Sequence, residues 1–207
     1  TEVRALVSAS ATGFYGDRGD TLLPETARRG QGFLADVCQE WEHAALTAEK
    51  YDVRVALPRF GFVIAAEGGA MDKLRPLFRC GLGGKLGSGK QWMPWVHVDD
   101  ICGILIHLLE NDALTGAFNA VAPKPVTNAE FTHALAAALH RPAVLRVPAF
   151  ALRAALGEFA DLALDSTRAI PEKALAAGYV FRQPDLAWAL RQEPEAGESP
   201  GLTKTPE

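Results

Sequence analysis

Few side chains of this 207-residue chain stand where they could do chemistry, and the first of them are hydroxyls. Ser8-Ala9-Ser10 closes an apolar run from Arg4 to Ser10 that shows no polar alternation, the pattern of a strand buried on both faces. Ligands of open parallel sheets gather at the carboxyl ends of strands, where a serine can hydrogen-bond a substrate oxygen. The same hydroxyls can instead satisfy only local backbone groups, and the sequence leaves both readings open. His97, in Trp-Val-His-Val-Asp-Asp, also has two readings. It is either a base oriented by a carboxylate or a buried imidazole bonded to backbone, with Asp99 or Asp100 capping the next helix. Phe62, Trp92 and Trp95, beside Lys90 and Gln91, offer apolar walls with a few polar handles, which suits a small-molecule pocket. Both tryptophans would serve equally well as core. Trp41-Glu42 reads as a core tryptophan with a locally paired acid.

Gly84 to Lys90 fits the G-x-x-x-x-G-K spacing of a phosphate-binding loop, but Gln91 stands where that loop needs Ser or Thr to hold magnesium. A helix precedes the glycines and Trp92-Met93-Pro94 leads into a strand, so no helix N-terminus faces the phosphates. The loop is therefore read as a substrate wall and not as a triphosphate site. No G-x-G-x-x-G fingerprint occurs anywhere in the chain.

The elements that must position these groups alternate. After the first strand, residues 12–32 are a long loop rich in Gly and Asp. Phe33 to Lys50 is helical: Phe33, Leu34, Val37, Cys38, Trp41, Ala44, Ala45 and Ala48 form one wide apolar stripe. Val53 to Leu57 is a second strand, stopped by Pro58. A helix between two short apolar strands is a βαβ unit and implies a parallel sheet. A helix from Gly68-Gly69 to Arg79, a glycine-dense loop over 81–89, a strand at Trp95–Val98, a helix to Leu109 and a strand at Ala117–Val121 follow. Thr127-Asn128-Ala129-Glu130 has capping-box spacing and starts a helix to His140. Helical patches at Phe150–Leu164, Pro171–Ala177 and Asp185–Arg191 come next, and residues 193–207 read as a disordered tail.

Composition sets the limits. Apolar residues make up 48% and charged residues 22%, with a net charge of -4, so there is no basic excess to neutralise nucleic-acid phosphates. No stretch approaches the ~20 apolar residues of a membrane helix, and no signal peptide is present at the start of the sequence. Cys38, Cys80 and Cys102 are widely spaced and lie on or near apolar faces. They read as inert packing in a reducing, cytoplasmic setting, without a disulfide framework or metal site.

Taken together, SASATGFYG, the Phe33–Lys50 helix, LPRFGFVIA, GSGKQWMPWVHVDDICGIL and GAFNAVAPKPVTNAEF resemble the second half of an extended short-chain dehydrogenase/reductase. The resemblance is to the NAD-dependent epimerase/dehydratase family, and within it to the uncharacterised "epimerase family protein" subgroup that ends in a small domain of unknown function. It implies an α/β fold: the second half of a doubly wound, NAD(P)-binding Rossmann sheet over residues 1–122, then a small, mostly helical substrate-side domain over 123–192. It also implies a chain of about 300 residues whose first strands carry the glycine-rich turn, with this sequence as its C-terminal part.

What the resemblance implies for function is an NAD(P)-binding, epimerase/dehydratase-like oxidoreductase of unknown substrate. NAD or NADP would be held only together with the N-terminal strands, and NADP is favoured. Ser8, Ala9 and Ser10, with Pro58, Arg59, Phe60, Gly61 and Phe62, would approach the nicotinamide. Phe62, Lys90, Gln91, Trp92 and Trp95 would line the substrate, a small molecule, and a homodimer is one option for assembly. Two departures stand out. The family places Tyr-x-x-x-Lys on the helix after the serine loop, and here Leu34 and Cys38, or Phe33 and Val37, hold those places. Met93 stands where nucleotide-sugar epimerases carry an arginine. Ser10, and Tyr15 reaching in from the loop, are the remaining catalytic candidates. The alternative is a catalytically silent dinucleotide-binding sensor or scaffold.

Overall fold

The computed structural model describes residues 3–192, so the tail read as disordered, 193–207, lies outside the described residues. The opening strand forms in two pieces, β1 (Ala5–Val7) and β2 (Ser10–Ala11), interrupted at Ser8-Ala9. The loop that follows contains a 3-10 turn over Thr12–Tyr15 and a two-residue strand, β3 (Leu22–Leu23). Helix α1 (Phe33–Leu46) runs into a 3-10 turn that ends at Asp52, in the left-handed region at φ 57°. Next come β4 (Arg54–Phe60), β5 (Phe62–Ile64), α2 (Met71–Arg79), β6 (Gly84–Leu86), β7 (Trp92–Met93), β8 (Trp95–His97), α3 (Val98–Glu110) and β9 (Gly116–Ala120). Beyond them lie β10 (Val126–Thr127), α4 (Asn128–Ala138), β11 (Leu145–Val147), α5 (Ala149–Leu156), α6 (Asp161–Leu164), β12 (Arg168–Ala169), α7 (Glu172–Ala176) and α8 (Leu186–Gln192).

β4 is the centre of a parallel sheet. It pairs with β1 and then β2 along one edge and with β9 along the other. Alternation divides its side chains between two layers. Val55 and Leu57 pack with Ala45 beneath α1, while Ala56 packs with Ile104, Leu108 and Phe118 beneath α3. A helix on each face, joined to parallel strands, is the expected βαβ arrangement.

Pro58 does not stop the strand. Arg54 donates to the Arg4 carbonyl and Ala56 accepts from Ser8, so even-numbered β4 residues direct their backbone groups toward the β1/β2 edge. The N–H that proline lacks would point to that edge at the Ser8-Ala9 interruption, where no ladder bond is lost.

The helix after the tryptophan segment is capped by His97, not by Asp99 or Asp100: the imidazole Nδ1 accepts from the Asp99 N–H at 3.2 Å. Asp100 is fully buried and serves a distant loop, accepting from the backbone N–H groups of Arg182 and Gln183 and from the Tyr179 hydroxyl. The capping box forms as expected, with Thr127 and Glu130 bonded reciprocally. A second core gathers Ile64, Met71, Phe78, Trp95, Phe131, Leu135 and Leu190. The glycine-dense loop contains β6, which pairs in parallel with β11, and β12 pairs with β3, so the C-terminal segment is stitched to the earlier elements by two small sheets.

Candidate active site

Register and alternation together create a polar row inside the sheet. Ser10 of β2 lies beside Arg59 of β4, which lies beside Asn119 of β9. All three share the face covered by α1, because Arg59 follows Val55 and Leu57 at every second position. Their exposures are 4%, 4% and 0%. Such a row is stable only if every polar group finds a partner.

Glu42 of α1 supplies the charge. It accepts from Ser10 Oγ at 2.7 Å and from Arg59 Nε and Nη2, each at 2.7 Å, a two-pronged ion pair. Arg59 Nη1 donates to the Tyr15 hydroxyl at 2.9 Å, and that hydroxyl donates to Asn119 Oδ1 at 2.8 Å. The guanidinium also stacks over the Phe14 ring at 3.5 Å. The Asn119 amide donates to the carbonyls of Leu23 and Ile170, and its backbone N–H donates to Glu25, which also receives the Lys173 N–H at the start of α7. The row thus pins α1, the serine loop and the C-terminal segment to the sheet.

Burial dominates the electrostatics of Tyr15 and pushes its phenol above the usual value, against the pull of the Arg59 charge and the hydrogen bonds from Arg59 and Asn119. Arg59 is itself held above its ordinary range. Burial acts against its charge, but the hydrogen bond to Glu42 and the negative partners outweigh it. Cys38 lies one turn before Glu42, and burial raises its thiol although the Ala11 backbone and Ser10 contribute favourable hydrogen bonds.

Beside the row is a cavity of about 560 Å³ between the loop residues 16–18, residues 28–32, the first turn of α1 and α6. Its margin needs glycine at position 30: a Cβ there would meet the Tyr15 carbonyl oxygen at 1.9 Å, so only glycine lets the loop close behind Tyr15. Arg18, Arg28 and Arg29, the acids Asp17, Asp161 and Asp165, and the apolar Leu34 are among the lining residues.

Comparison with known proteins places this geometry. Residues 1–120 match the NAD dependent epimerase/dehydratase family, and residues 147–193 match a domain of unknown function, DUF1731. The chain belongs to the NAD-dependent epimerase/dehydratase family. It is 44% identical over 189 residues to an epimerase family protein of Mycobacterium leprae, covering 91% of this chain and 62% of that one. It is 43% identical over 186 residues to the chloroplastic SDR39U1 homologue of Arabidopsis thaliana, covering 90% and 53%. The chain therefore spans between about half and two thirds of these relatives. Among solved structures, human epimerase family protein SDR39U1, crystallised with NADPH, superposes with a TM-score of 0.85 at 33% identity, covering 92% of this chain and 65% of that one. The fold is accordingly the α/β, Rossmann-like fold of this family.

Within this family member, the residues singled out by sequence separate into three groups. Ser8 and Ala9 lie at the open carboxyl end of β1: Ala9 is exposed, and the half-buried Ser8 hydroxyl has no hydrogen-bond partner among the described residues. Ser10, Tyr15 and Arg59 are drawn into the buried row, so neither hydroxyl opens onto the cavity. Pro58 is buried, while Phe60, Gly61 and Phe62 are half-buried. A Cβ on Gly61 would meet the Pro94 carbonyl oxygen at 2.6 Å, so this glycine serves the β5–β8 crossing.

The expected substrate wall is dispersed. Trp95 is 1% exposed, with its indole N–H given to the Lys124 carbonyl, so it is core. Gln91 is buried and donates to the carbonyls of Leu86 and Ala163. Phe62 packs edge-on against Phe131. Trp92 bonds Asp20 at 2.6 Å beneath the Arg168 guanidinium, and Lys90 is exposed. None of these residues lines the cavity beside the row.

Sequence reasoning also misassigned Trp41 and Glu42. The tryptophan is 55% exposed and the acid is the buried member. The signal was present: Ala35, Cys38, Glu42 and Ala45 share one helical face, and an acid on such a face demands a cation. Of the cysteines, only Cys38 is buried, whereas Cys80 and Cys102 are exposed.

Proposed function

We propose that this chain provides the nicotinamide-facing and substrate-facing part of an NADPH-binding oxidoreductase of the epimerase/dehydratase type. One observation carries the reading: a TM-score of 0.85 over 92% of the chain with a protein whose structure holds NADPH. The residues present fit a nicotinamide end. The unpartnered Ser8 hydroxyl and the exposed Ala9 backbone stand where a parallel sheet receives ligands, next to the half-buried stretch Phe60–Phe62. When bound, the cofactor would supply or take up a hydride.

The chain's own residues would do the rest. Ser8 and the Ala9 backbone would orient the ring's polar groups. Ser10, fixed by Glu42, keeps the strand end rigid. The row excludes water below, and the cavity above receives the substrate. Proton exchange from α1 is closed off, because Leu34 has no acidic proton and the Cys38 thiol is pushed up by burial.

That last point favours a second reading, a dinucleotide-binding protein without turnover. NADPH titration of the complete natural protein, followed by the nicotinamide fluorescence, tests the first claim: saturable binding is expected, and its absence removes the proposal. Loss of absorbance at 340 nm with a panel of carbonyl compounds then separates the enzyme from the silent binder.

A further inference from the structure

The cavity beside the polar row is lined by both arginines and carboxylates, and which of them lack partners says what would fill it. The Arg28 side chain makes no hydrogen bond or ion pair with any described residue. Arg18 is only partly engaged, donating to the Arg28 carbonyl, whereas Arg29 is occupied by Asp36 at 2.7 Å, by Gln39 and by the Gly30 carbonyl. The acids of the lining are Asp17, which accepts from the Gly19 and Ser166 N–H groups, Asp161 and Asp165. The Asp165 carboxyl receives no hydrogen bond from any described residue, and Asp161 has Arg153 at 3.9 Å as its one ion-pair partner among the described residues. Among the described residues no group of three acidic, histidine or cysteine side chains is placed to hold a metal ion, so the acids are not a cation cage.

We propose that this cavity binds a small hydroxy acid, its acidic group held by Arg28 with Arg18, its hydroxyl bonded to Asp165. The inference rests on the oxidoreductase reading and narrows it to a substrate class. A nucleoside diphosphate would bring at least about two negative charges into a lining that already holds Asp17, Asp161 and Asp165, with only Arg28 and Arg18 retaining free donors. A hydroxy acid puts its single charge on the arginines with free donors and a proton donor against Asp165. Asp165 suits that partner: burial first, then the charges of Asp161 and Asp17, against the weaker pull of Arg153, raise it to about 6. The floor at Phe33 and Leu34 is apolar, which suits the carbon chain between the two ends. The volume, about 560 Å³, falls within the ordinary range of small-molecule sites.

The test uses the complete natural protein with glycerate and gluconate as probes, and glucose and UDP-glucose as comparisons, titrated calorimetrically at pH 7. The acids should bind and glucose should not. Arg28→Gln, at an exposed residue with no partners to lose, should weaken acid binding at least about tenfold, the effect of one charge-assisted hydrogen bond. Asp165→Asn should weaken gluconate binding more than it weakens acetate, which has no hydroxyl. No binding of either acid, binding indifferent to both substitutions, or UDP-glucose binding tighter than the acids would each overturn the inference. NADPH titration run in parallel separates the two claims. Intact NADPH binding without acid binding removes only this substrate class, whereas lost NADPH binding with acid binding retained removes the cofactor reading.

Discussion

Replacing Glu42 by glutamine asks whether charge holds the polar row together. The carboxylate accepts three hydrogen bonds at 2.7 Å, one from Ser10 and two from Arg59, and both charged partners are almost wholly buried. Glutamine preserves the shape but turns an amide donor toward the guanidinium and leaves the Arg59 charge without compensation. Removing one member of a buried ion pair costs about 3–5 kcal/mol, a large fraction of the ~5–15 kcal/mol that keeps a domain folded. Glu42→Gln should therefore move the urea midpoint far down at unchanged slope, read by tryptophan emission. Arg59→Met strands the carboxylate instead and should cost a similar amount. The double variant Glu42→Leu with Arg59→Met removes both charges and should lose much less than the sum of the single variants, because a buried pair often exchanges for apolar side chains near neutrality. Additive losses, or single losses below about 1 kcal/mol, as a solvent-screened pair would give, would refute the reasoning.

Asp165 ionises near 3.8 unfolded and at about 6 folded, so folding holds a proton in that window and stability falls as pH rises through it. The full shift is worth about 3 kcal/mol, and solvent screening at this half-buried group reduces it to about 1 kcal/mol. Thermal melts should show Asp165→Asn stabilised by that amount at neutral pH and unchanged well below pH 4. Tyr15→Phe leaves Arg59 and Asn119 short of a partner and should cost about 1–3 kcal/mol; a fall in turnover with an unchanged melt would instead assign the hydroxyl to chemistry. Gly30→Ala forces a Cβ into the Tyr15 carbonyl and should cost about 3 kcal/mol in the same urea assay. Iodoacetamide at neutral pH should label the exposed Cys80 and Cys102 quickly and the buried Cys38 only on unfolding, read by mass spectrometry.

The sheet and its helices were legible because they rest on local signals. The apolar runs around Leu6 and Val55, the capping box at Thr127 and the stripe of α1 each announce themselves within one element. The polar row was not legible, because Ser10, Glu42, Arg59 and Asn119 meet only through sheet register and are distant in sequence. Two local rules also misled. Proline ended a strand on paper, since the sequence does not say which edge its nitrogen faces. Aromatic size pointed to Trp41 as core, whereas helix phase put Glu42 there. The small strand pairs β3–β12 and β6–β11 join segments too short and too far apart to carry a pattern of their own.

The row and the cavity together constrain where a proton could come from. A phenol near an arginine is the right kind of acid for reduction at a carbonyl, and Tyr15 has its arginine at 2.9 Å. Yet desolvation outweighs that charge, the hydroxyl is already given to Asn119, and the side chain is 0% exposed. Freeing it would break both the bond from Arg59 and the bond to Asn119 in a buried network. Tyr15 is therefore a strut, and α1 presents Phe33, Leu34 and Ala35 to the cavity, none of which carries an exchangeable side-chain proton. On the oxidoreductase reading, the proton would come from the cavity lining at Asp165, which is half-protonated at about pH 6. On that reading, acid–base work would fall to the C-terminal segment and not to the helix where the resemblance would place a Tyr-x-x-x-Lys pair. Its signature would be a rate that falls with rising pH through that value in the natural protein and becomes flat in Asp165→Asn.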